Sequence, residues 1–125
     1  MADESIPDDV REFIMRNIDS IAQLEALLLL REHPTGTWTV ASVAKRLYTS
    51  EQDIAEVLQR LADDGFLAVQ DGAYRFSCKM PEQETAVHRM AETYRRQLIP
   101  VTNMIHSKPR RIRQFADAFK FKKDH

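Results

Sequence analysis

Apolar residues recur at helical spacing in four places along the first 80 residues and again along one long stripe beyond them. Val10, Phe13 and Ile14, with Ile18 one turn on, give residues 7–17 an apolar face, and Pro7 with two aspartates suits a helix start. Ser20 and Gln23 form an S-x-x-Q capping box ahead of "IAQLEALLLLRE". That helix is apolar on nearly all sides from Leu27 to Leu30, which makes it central to a core or shared with another subunit. Pro34 and Gly36 end it, and "TWT" at 37–39 reads as a brief strand. Thr39 caps a third helix, "VASVAKRLYT", with Val40, Val43, Ala44 and Leu47 inward. Thr49 or Ser50 caps a fourth, in which Ile54, Val57, Leu58 and Leu61 fall at i, i+3, i+4 and i+7. Gly65 stands where a helix stop takes a left-handed residue, followed by Phe66 for the accompanying apolar contact.

The period then changes from 3.6 to 2. In "LAVQDGAYRF", Asp71-Gly72 predicts a two-residue hairpin turn, because a type I′ turn needs positive φ at both central residues. This register pairs Val69 with Tyr74 and Leu67 with Phe76, all on one face that a core can take. Ala68 and Arg75 face outward.

A long helix starts at Pro81. Along it Val87, Ala91, Tyr94, Leu98, Val101 and Ile105 are spaced by 4, 3, 4, 3 and 4 residues, the repeat of two helices packed side by side. The spacing favours a seam with a second copy, since the preceding elements already make a small core; the alternative is that the stripe covers the chain's own core. Pro100 predicts a kink or restart. Beyond Pro109, Ile112, Phe115 and Phe119 sit at i, i+3 and i+7 among basic residues, the pattern of a short basic amphipathic helix.

Helix, short strand, helix, helix, hairpin is the order of a winged helix. The stretch "WTVASVAKRLYTSEQDIAEVLQRLADDGFL" resembles the helix-turn-helix of small bacterial regulators, above all the multiple-antibiotic-resistance regulator (MarR-like) class. The fold class expected is therefore mainly α with a small β-hairpin, a winged helix-turn-helix with flanking N- and C-terminal helices. Its parts are an acidic segment and short helix (1–18), the winged helix (19–80), a long helix (81–107) and a basic aromatic tail (108–125). The resemblance implies a homodimer that binds DNA through residues 50–60 and the wing.

Charge complicates that reading. Residues 1–80 hold 8 Lys+Arg against 14 Asp+Glu, residues 81–107 hold 3 of each, and residues 108–125 hold 7 against 2. An acidic body with a basic tail suggests that the tail has its own partner. DNA affinity comes mainly from neutralised phosphates, yet the winged helix offers few cations for them: Lys45, Arg46, Arg60 and Arg75. Ser50, Gln52 and Gln59 are candidates for base edges. Lys108, Arg110, Arg111, Arg113, Lys120, Lys122 and Lys123 are candidates for further phosphate contacts. Two functions stay open: a DNA-binding transcriptional regulator of modest affinity, and a protein-interaction module that leaves DNA alone while its tail docks a partner or an anionic membrane surface.

Nothing in the sequence points to catalysis, a cofactor or a metal site. The histidines are scattered, and Glu84 with His88 is the spacing of a surface pair. The 3 glycines form no phosphate-cradling loop. Cys78 is the single cysteine, which rules out an intrachain disulfide and suits a buried thiol. The acidic N-terminus does not read as a signal peptide, and "ALLLL" is far shorter than the ~20 apolar residues of a membrane span. The expected location is the cytoplasm. A small-molecule effector could bind between the winged helix and the dimer helices, but nothing in the sequence names one.

Overall fold

The computed structural model describes residues 6–108. Six helices and a three-stranded antiparallel sheet follow in the order α1 (Asp8–Asn17), α2 (Ile21–Glu32), β1 (Trp38–Thr39), α3 (Val40–Leu47), α4 (Glu51–Asp63), β2 (Leu67–Gln70), β3 (Ala73–Phe76), α5 (Pro81–Arg96) and α6 (Leu98–Ser107). This is the winged helix-turn-helix with flanking helices expected from the sequence. No helix among the described residues is long and apolar enough to cross a membrane.

The centre is α2, whose Leu24, Ala26, Leu27, Leu29 and Leu30 are all buried. It packs on α4, α3 and β3. Its cap differs by one residue from the expected box. Ser20 Oγ accepts from the Gln23 amide, but the Gln23 side chain reaches back to the amide of Asp19 and donates to the carbonyl of Asn17. The buried amide is thereby satisfied, and the α1–α2 corner is fixed.

Thr39 and Ser42 form a reciprocal capping box at the start of α3. That helix stops earlier than the pattern suggests, because Tyr48 adopts a left-handed conformation with φ 56°. Ser50, one of the two candidates, caps α4 by accepting from the Asp53 amide. Helix α4 ends in a Schellman arrangement: the Phe66 amide donates to the Leu61 carbonyl and the Gly65 amide to that of Ala62, with Gly65 at φ 93°. Ile54, Leu58 and Leu61 are fully buried; Val57 is half-buried. Phe66 lies under α1, its ring edge-on to Phe13 at 5.7 Å.

The hairpin has the expected register, Leu67 opposite Phe76 and Val69 opposite Tyr74, around Asp71 and Gly72, both at positive φ. Strand β1 adds to β3, with Trp38 opposite Tyr74, giving the sheet order β1-β3-β2. Val69 departs from expectation. Leu67 and Tyr74 are buried, but Val69 is 47% exposed. Alternation fixes which face a side chain takes, not how far along the strand the core extends; Val69 lies on the core face but toward the tip.

The helical stripe beyond Pro81 belongs largely to the chain's own core. Val87, Val101 and Ile105 are fully buried within the single chain, so they are not free to form a seam with a second copy. Ala91 and Tyr94 are half-buried, and Leu98 remains exposed. The reason is the break at Gln97 (φ −124°, ψ 53°), which divides the stretch into α5 and α6. Pro100 has no amide proton to offer the Arg96 carbonyl four residues back, so the helix restarts just ahead of it. Arg89 on α5 holds Asp9 on α1 through two hydrogen bonds, and the guanidinium lowers the Asp9 carboxyl below its usual range.

Candidate nucleic-acid interface

Residues 45–52 form the corner of the helix-turn-helix. Lys45 and Arg46 occupy the last turn of α3 and are exposed. Arg46 lies 6.0 Å from the ring centre of Trp38, which holds the guanidinium near the sheet without burying it. Tyr48 follows at 96% exposure. Ser50 and Gln52 then open α4, both exposed. This corner gathers two cations, a phenol and two uncharged polar groups at the first turn of a helix. Arg75 lies on the outward face of β3, opposite Ala68 across the hairpin.

The second half of α4 is otherwise engaged. Gln59 donates to Asp63 and accepts from the Tyr74 hydroxyl. Arg60 pairs with Asp64 at 3.3 Å and with Asp19 at 3.6 Å. Both residues were candidates for DNA contact; both are committed to partners in their own chain. The remaining exposed face of α4 is acidic, with Glu51, Asp53, Glu56 and Asp63. Of the candidates, then, the structure groups Lys45, Arg46, Ser50 and Gln52, sets Arg75 on the wing, and leaves Gln59 and Arg60 exposed but hydrogen-bonded within the chain. Arg110, Arg111 and Arg113 lie outside the described residues.

Lys108 is also withdrawn from the phosphate-contact set. Its side chain is only 10% exposed. The ammonium donates to the carbonyls of Ile14 and Ile18 at the end of α1 and to Asp19 Oδ1. It neutralises a helix C-terminus and shares Asp19 with Arg60. The sequence reading missed two features here. Tyr48 had a readable signal, an aromatic between two capping signals at the turn. Lys108 had none, because its partners are about ninety residues away in sequence.

A cleft of about 560 Å³ separates α2 and α3 from α5, walled by Glu25, Arg31, Arg46, Tyr94, Arg95 and Leu98. Tyr94 donates to Glu25 at 2.6 Å. Partial burial and this carboxylate raise the phenol to a pKa of about 12. Because the folded value exceeds the usual 10, the contribution to stability is complete below pH 10 and is lost as pH rises toward 12. In a spectrophotometric titration, one of the 3 tyrosines should therefore ionise only after pH 11, and Tyr94→Phe should remove that late step. Arg31 Nη2 lies 2.6 Å from His88 Nδ1, which places His88 against a cation. Cys78 is half-buried, and desolvation, aided by Glu84, raises its thiol to about 11, so slow reaction with thiol reagents is expected at pH 8. Among the described residues no three His, Cys, Asp or Glu side chains are grouped as a metal site.

No family model matches the sequence, and a search of curated proteins finds no match. A search of solved structures finds the chain similar to one described as a MarR family protein from Bacillus stearothermophilus, at 21% identity and a TM-score of 0.51, covering 92% of this chain and 80% of that one. With the element order, the hairpin register and this likeness together, the chain has a MarR-like winged-helix fold.

Proposed function

We propose that this chain is a non-enzymatic, DNA-binding transcriptional regulator of modest affinity, which meets the duplex with residues 45–52 and the wing. The observation that carries the reading is the exposure of Lys45, Arg46, Ser50 and Gln52 together at the corner of a helix-turn-helix. In it, Lys45, Arg46 and Arg75 take phosphates, and Ser50 and Gln52 meet base edges at the α4 N-terminus. Two copies double the cations; Leu98, the seam residue left exposed, is where their contact is placed.

Salt dependence tests it. Three phosphate contacts per chain, hence six for two copies, give a slope of log affinity against log salt of roughly −5, and replacing Lys45 and Arg46 with alanine reduces it to about −2. Negligible binding to duplex DNA even at ~20 mM salt, where phosphate contacts are strong, would contradict the reading. The acidic exposed face of α4 favours one alternative, a winged helix that receives a basic protein surface. In that case the Lys45 and Arg46 replacements leave the interaction intact, and neutralising Glu51, Asp53 and Glu56 abolishes it.

A further inference from the structure

A second groove, of about 590 Å³, runs between α1 and α6. Its walls are mainly apolar: Ile6, Met15, Ile99, Pro100 and Met104. Met15 is 42% and Ile99 64% exposed, so two large apolar side chains stand uncovered on neighbouring helices. Lys108, which forms one end of the wall, is the last described residue, and its buried ammonium pins that point of the chain to α1. The sequence continues from there for 17 residues.

We propose that this continuation, residues 109–125, is the groove's occupant, with Ile112, Phe115 and Phe119 seated in it. Three observations select this segment. Its root is fixed at the groove, so its local concentration is of the millimolar order expected of a short tether. Phe115 and Phe119 follow Lys108 by 7 and 11 residues, within roughly 25 and 40 Å of extended chain, so both reach any point of the wall. The charges offer one match: the segment carries Arg110, Arg111, Arg113 and Lys120, while the exposed start of α1 beside Ile6 carries Asp8, its neighbour Asp9 being held by Arg89. Asp117, between the two phenylalanines, matches Arg11 of the wall, whose side chain has no ion-pair partner among the described residues. Apolar cover is thus supplied from within the chain, and the tail's basic residues are held along α1.

The test uses the full chain with labelled methionine methyl groups. Met15 and Met104 line the groove, and buried Met90, which does not, is the control. Phe115→Leu with Phe119→Leu keeps apolar bulk but removes the rings. The methyl signals of Met15 and Met104 should move in this variant while Met90 stays, and the difference should persist on dilution. If neither signal moves, the segment does not occupy the groove. If the difference fades on dilution, the occupant comes from a second copy, and docking within one chain is overturned. DNA plays no part in the measurement, so its failure is distinct from failure of the proposed function.

Discussion

Phe66→Ala should cost roughly 3–5 kcal/mol of folding stability, the range for truncating a fully buried phenylalanine. Phe66 is the apolar member of the α4 stop motif and meets Phe13 edge-on, so one side chain ties α1, α4 and the wing strands together. Truncation leaves a cavity at that junction while the Gly65 turn keeps its backbone hydrogen bonds. Urea unfolding should show a lower midpoint with an unchanged slope. Val69→Ala is the control. Val69 lies on the face of the hairpin shared by Leu67 and Tyr74 but is half exposed, and its truncation should change stability by no more than about 0.5 kcal/mol. Equal costs at the two sites would mean that Phe66 does not pack against α1 as described.

Lys108→Met should cost about 2 kcal/mol, several times the effect of removing an exposed lysine. The replacement keeps an apolar stem but takes away the ammonium that serves Ile18, Ile14 and Asp19. Asp19 retains Arg60, which limits the loss. A double-mutant cycle with Asp19→Asn isolates the shared part; coupling of about 0.5 kcal/mol or more is expected for groups in one network. Additive effects would place the ammonium in solvent.

These two residues mark where sequence reading succeeds and where it fails. The Gly65 stop, the Asp71-Gly72 turn and the Thr39 and Ser50 caps are legible because each is a backbone requirement met within a few residues of sequence. The hairpin register follows from the turn alone. The stripe from Val87 to Ile105 shows the opposite case. Its spacing declares an apolar face but not which body covers that face, and the break at Gln97 turns both halves onto the chain's own core. Arg60 and Gln59 read as exposed polar groups on a reading helix; only tertiary structure reveals Asp19 and Tyr74 as their partners. Sequence alone thus places Lys45, Arg46, Ser50 and Gln52 at an exposed corner but does not reveal the partners of Gln59 and Arg60.

In the proposed function, DNA meets the corner of the helix-turn-helix and the wing, and the acidic length of α4 stays away from it. Backbone amide resonances of the full chain, followed while duplex DNA is added at low salt, test this most directly. Perturbations confined to residues 45–52 and 71–75 among those described are expected, with residues 56–64 unmoved. Perturbations centred on 56–64, or none at all, would contradict it.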